Sequence, residues 1–177
     1  MASKFEIDKN KFVDINEITD FVIGYFNNLD VDITPLKLQK ILYYIQAWHL
    51  VFFKKHPLFN EEPEAWVNGP VYRTIYNRFK DNWYSGETLT IGEPENIESD
   101  FEDIKNNVKL TKTQKELLFT VLQKYGKLSA GELVYITHVE DPWNKAREGL
   151  EPFERCDNHI SFDNMYNYYE EKRKKSN

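Results

Sequence analysis

Cysteine is nearly absent: Cys156 is the only one in 177 residues. No disulfide can close within the chain, and nothing points to an oxidising compartment, so a reducing cytoplasm is the expected location. Long apolar runs are missing as well. The strongest, residues 41–53, is interrupted by Gln46 and His49 and falls short of the roughly 20 residues that cross a bilayer, which makes it a core helix with no membrane role. Residues 1–11 scatter Lys4, Glu6, Asp8, Lys9 and Lys11 among single apolar side chains and lack the apolar stretch of a secretory signal.

A basic excess is also lacking. Lys and Arg number 23 against 29 Asp and Glu, a net charge of −6, which argues against the extended cationic face that non-specific nucleic-acid binding requires. The one basic cluster, Lys172-Arg173-Lys174-Lys175, suits a solvated helix end. The 7 glycines are scattered and form no phosphate-cradling loop. The histidines at 49, 56, 138 and 159 fall at no zinc spacing, and Cys156 with His159 makes only a single C-x-x-H pair. Neither metal nor cofactor is expected.

What the chain does have is aromatic weight, with 11 Tyr, 12 Phe and 4 Trp, and an ordinary globular balance of 41% hydrophobic and 29% charged residues. That composition can bury a sizeable core, and residues 1–177 read as one domain. Asp14 with Glu17 reads as a capping box, and Ile18, Phe21, Val22, Tyr25, Phe26 and Leu29 continue at helical spacing. Thr34 followed by Pro35 starts a second helix, with Leu38, Ile41, Leu42, Ile45, Trp48, His49 and Phe52 on its stripe and its end before Pro57. Glu64 to Val67 reads as a short extended piece, and Pro70 as the first residue of a helix reaching about Lys80.

Residues 82–109 read as irregular. Thr88 to Ile91 alternate as a short edge strand or hairpin would, and the acidic run 93–103 reads as an exposed loop. Thr111/Gln114 and Ser129/Glu132 are capping boxes, with Leu128 and Leu133 placed as a hydrophobic staple for the second. Gly126 suits a helix stop, Asp141-Pro142 another helix start, and Ser161 the cap of a final helix over 161–175. The fold class expected is mainly α, about seven helices with short hairpin or extended segments near 64–68 and 87–91.

Candidate chemistry is thin. Cys156 with His138 or His159 would make a thiol–imidazole pair, yet nothing nearby prepares a thiolate. Trp66 with Gly69, Pro70 and Val71 reads as a tight turn. Thr137, His138, Pro142 and Trp143 read as an inter-helix tie, the alternative being an enzyme that uses His138 as acid or base.

Three segments together carry more than any one of them. Residues 33–44, including Lys37, Leu38, Gln39, Lys40, Tyr43 and Tyr44, with Trp48 and His49 following, resemble the opening of the Panacea domain of SocA-like antitoxins. Trp66, Gly69, Pro70 and Val71 are similar to its second motif. Thr137, His138, Pro142 and Trp143, preceded by residues 128–133, are similar to its third. The likeness spans about residues 15–149. It implies an antitoxin, of the kind found in prophages and other mobile elements, that binds a cognate protein toxin. A protease or its unfoldase is a second implied partner. No membrane partner is expected, nucleic acid is disfavoured, and the chain should be a monomer or weak dimer. Exposed tyrosine and tryptophan would serve as partner-binding anchors, the candidates being Tyr43, Tyr44, Trp83 and Tyr84.

Overall fold

The computed structural model describes residues 11–176; the reading of residues 1–11 lies outside them except for Lys11. The described chain runs through α1 (Ile15–Asn28), α2 (Pro35–Phe52), β1 (Glu64–Trp66), β2 (Gly69–Val71), α3 (Arg73–Arg78) and α4 (Lys80–Ser85). A 3-10 turn at Pro94–Asn96 follows, then α5 (Ile97–Asn107), α6 (Lys112–Tyr125), α7 (Ala130–Val139), α8 (Asp141–Ala146) and α9 (Phe162–Lys175). It is mainly α with one antiparallel hairpin, β1 on β2.

Helix α2 is the axis of the fold. It packs against α1, α6, α7, α9 and β2, and its start follows from sequence: Thr34 Oγ1 accepts from the Lys37 amide at 3.3 Å, with Pro35 in the first turn. Surrounded on every side, α2 buries Lys37, Gln39, Lys40, Gln46 and His49 along with its apolar residues. Each of these polar groups has a partner, as burial demands. Lys37 Nζ donates to the Gly126 carbonyl at 2.8 Å. Gln46 donates to the Phe59 carbonyl and accepts from the Leu58 amide. His49 Nδ1 lies 2.8 Å from the His56 carbonyl, which can only accept, so Nδ1 carries the proton and Nε2 accepts from Gln114 Nε2 at 3.0 Å. Burial pushes the His49 pKa down to about 3.

The capping boxes of α6 and α7 are complete, and Ser161 caps α9. Asp14 caps α1 by accepting from the Asn16 amide at 2.8 Å, without the box expected with Glu17. Four further local readings need correction. Pro70 does not open a helix but sits in β2, with α3 beginning at Arg73. Asp141 is the first residue of α8, and Glu140 holds the cap position with its side chain turned elsewhere. Gly126 is right-handed, not a left-handed stop; a Cβ there would lie 2.3 Å from the Leu122 carbonyl oxygen and 2.9 Å from the Phe26 ring, so it is close approach that requires glycine.

The fourth is the acidic run, which is mostly helix. Glu98 and Asp100 sit in the first turn of α5, where the helix dipole favours negative charge. Phe101, at the centre of the helix, meets Phe21 edge-on at 5.6 Å, and Gly24 in α1 leaves room for it. With α4, this brings the described helices to two more than the seven expected. Residues 87–91 are extended but form no ladder. Leu89 and Ile91 are held by bonds to Ile33 and to the Asn27 side chain.

Candidate functional site

The three sequence motifs converge on Gly69. Its φ of +94° is one that side-chain-bearing residues rarely adopt, and a Cβ there would meet Lys40 Cε at 2.7 Å and Thr137 Oγ1 at 2.8 Å. Lys40 from α2, Gly69 from β2 and Thr137 from α7 therefore touch at a single point. Lys40 is fully buried and donates to the Pro70 carbonyl at 2.9 Å; burial brings its pKa down to about 7. Gln39 takes the Tyr72 amide at 2.7 Å and gives to the Tyr72 carbonyl at 3.1 Å.

The other side of the hairpin is held as firmly. The Ala65 amide donates to the Asn158 carbonyl at 2.8 Å, and Arg147 Nη1 donates to the Ala65 carbonyl at 2.9 Å. Arg147, which is buried, spends its second amino group on the carbonyls of Glu151, Pro152 and Glu154. Trp143 Nε1 donates to the Trp66 carbonyl at 2.9 Å, and the His138 ring stacks on Trp143 at 4.1 Å. The His138 pKa is lowered, first by burial and then by the positive charges of Lys40 and Arg147, with the Val67 backbone pulling the other way. Its Nε2 is buried with no hydrogen-bond partner among the described residues.

Tyr43 and Tyr44 are not surface anchors: they are 1% and 0% exposed. The carboxylate that leaves the α8 cap gathers them. Glu140 accepts from Tyr169 at 2.5 Å, Tyr44 at 3.1 Å and Lys172 at 2.7 Å, and the Tyr43 hydroxyl lies 3.5 Å from that of Tyr169. Tyr44 also stacks on Tyr125 at 3.9 Å, and Tyr125 accepts from Trp48 Nε1 at 2.9 Å. Burial pushes the phenol of Tyr125 up to about 12 and raises those of Tyr43, Tyr44 and Tyr169 as well. These rings lock α9 onto α2.

Trp83 and Tyr84 are placed differently. They line a cleft of about 580 Å³ formed by the hairpin, α3, α4 and residues 155–157. Trp66, Tyr76 and Trp83 pack edge to face at 4.7 to 6.4 Å, and the Tyr84 hydroxyl meets that of Tyr76 at 3.0 Å. Tyr84 itself is 80% exposed. Arg73 stacks on Trp66 and grips Glu64 with two bonds of 3.0 and 2.6 Å, while Trp66 Nε1 donates to the same carboxylate. Cys156 lines the cleft too, its thiol accepting from the Asn158 amide at 3.4 Å.

Glu140, Arg147 and Arg155 escaped sequence reasoning. A charged residue at a helix cap and arginines between helices look like solvated surface until their partners are known. No group of three or more His, Cys, Asp or Glu among the described residues could hold a metal ion, and no described helix is long and apolar enough to cross a membrane.

The scaffold is mainly helical, with one hairpin braced by buried side chains such as Lys40 and Arg147 and an aromatic cleft beside it. The family model for the SocA-like antitoxin, Panacea domain, matches residues 38–144, and the chain belongs to that family. It is similar to Antitoxin SocA of Caulobacter vibrioides (strain NA1000 / CB15N), with 28% identity over 151 residues covering 77% of this chain and 72% of that protein. No solved structure matches it at a significant level.

Proposed function

We propose that this chain is an antitoxin that neutralises a cognate protein toxin by binding it, with no chemistry of its own. The observation that carries the reading is the family match across α2 to α8. The structure supports it through the use each motif has: Gln39, Lys40, Gly69, Pro70, Thr137 and Trp143 brace the hairpin, and beside it the half-buried Trp83 and the exposed Tyr84 are open to a partner. An enzymatic role for His138 has less support. The charged groups that bear on its ring are Lys40 and Arg147, both cations, and neither is a carboxylate of the kind that orients a catalytic imidazole and stabilises its protonated form.

The test is co-expression with the product of the adjacent reading frame. Growth should be rescued and the two proteins should co-elute as a stable complex. His138→Gln, refolded at low temperature, should still protect. A folded His138→Gln protein that binds the toxin at full affinity without protecting cells would sink simple occlusion. Rescue that persists in cells lacking their ATP-dependent proteases separates occlusion from delivery to a protease.

A further inference from the structure

We infer that the toxin docks in the cleft between the hairpin and α4, and that the segment it inserts there presents an apolar side chain next to a carboxylate. This rests on the antitoxin reading above. The apolar half of the specification comes from the aromatic wall. Trp66, Tyr76 and Trp83 hold one another edge to face, so the apolar wall they form is rigid and already ordered, which costs a partner little entropy to cover. The volume of about 580 Å³ admits one or two side chains and not a domain.

The charged half comes from a difference between the two arginines. Arg73 is neutralised by its two bonds to Glu64, and Asp157 also bears on it electrostatically. Arg155 is exposed and makes neither an ion pair nor a hydrogen bond among the described residues. Arg155 is therefore the cation of the cleft lining, which also includes Asp157, that no bond among the described residues holds, within a chain whose net charge is −6. A carboxylate on the incoming segment complements it, and a charge at the rim steers association more than it adds affinity.

The experiment measures association and dissociation of the full chain with the adjacent reading frame's product, made by cell-free translation, at several salt concentrations. Trp83→Ala should weaken binding roughly 30-fold and Tyr84→Ala roughly 10-fold. Since Trp83 is half-buried, Tyr84→Ala is the variant whose melting temperature should equal that of the wild type. Arg155→Glu should slow association on the order of 10-fold and remove most of its salt dependence. Tyr135→Ala, which removes an exposed aromatic on α7 outside the cleft, should change nothing. Wild-type binding that survives Tyr84→Ala and Arg155→Glu unchanged, or that Tyr135→Ala weakens more than either, overturns the docking site and leaves the antitoxin reading standing. A wild-type chain that does not bind the product overturns both. Binding of AMP that Tyr84→Ala abolishes, with toxin binding unchanged, assigns the cleft to a nucleotide and overturns the proposal.

Discussion

Two of this molecule's clusters of aromatic side chains differ in what their polar atoms touch. Around Glu140, the hydroxyls of Tyr44 and Tyr169 end on one buried carboxylate, and the rings lie between α2, α6 and α9. Beside the hairpin, Tyr76 and Tyr84 end on each other, and Tyr84 stands in solvent. A phenol is an apolar body with a polar tip. Where the tip finds an internal acceptor the ring becomes core; where it finds only another tip at the surface, the ring remains available. The first cluster holds the fold together and the second stays open to solvent.

The sharpest way to break this contrast is Glu140→Ala. It leaves Lys172 and two buried phenols without their shared acceptor, and removing one partner of a buried charged network typically costs about 3 to 5 kcal/mol. Chemical denaturation should show a loss of that size, with α9 released first in hydrogen exchange. A loss under about 1 kcal/mol would mean that the rings pack well without the carboxylate.

Gly69→Ala probes the hairpin next to the cleft. The left-handed φ and the clash with Lys40 and Thr137 predict a cost of about 2 to 3 kcal/mol, with toxin binding weakened as the cleft wall shifts. An unchanged melting temperature would show that the three-motif contact is slack.

Acid should act first on the interior. Folded His49 takes up its proton only near pH 3, against 6.5 unfolded, so the unfolded chain binds the extra proton across that window and stability falls as pH drops through it. At pH 5 the loss is about 2 kcal/mol, from roughly 1.36 kcal/mol per pH unit. Lys40, lowered to about 7 from 10.5, is protonated in both states below pH 7 and adds no slope there; its share is a stability that rises with pH between about 7 and 10.5. Glu132, Glu170 and Glu171, whose pKa values are lowered by hydrogen bonds, matter only below about 4.5. Urea titrations at pH 7 and pH 5 measure the difference; His49→Gln should remove the His49 share and leave that of His138, whose pKa burial also lowers.

The smallest effect is expected of Tyr84→Ala, within about 0.5 kcal/mol of wild type in stability. A larger loss would show that the open cluster also supports the fold.

The caps and helical stripes of α1, α2, α6, α7 and α9 were legible because each is a local property, settled within four residues of itself. The hairpin could be placed but not understood: Trp66, Gly69 and Pro70 advertise a turn, whereas the reason for glycine at 69 lies in Lys40 and Thr137, both distant in sequence. Tyr43 and Tyr44 misled for a related cause. Adjacent residues on a helix point about 100° apart, so one of them normally faces water. Both are buried here because α2 is covered all round, a fact that belongs to α6, α7 and α9. Helix α5 was hidden by its own charge, its single buried anchor, Phe101, being too little to stand out from an acidic run.

The hairpin's outer edges have a further consequence. Pro70 has no amide hydrogen, its carbonyl is taken by Lys40, and both backbone groups of Ala65 are already engaged, by Asn158 and Arg147. No row of unpaired donors and acceptors remains along which a foreign strand could be laid. Partners cannot read this protein by extending its sheet, and copies of it cannot polymerise through it. Recognition is left to side chains, so its specificity can diverge by surface substitution while the hairpin beneath stays unchanged.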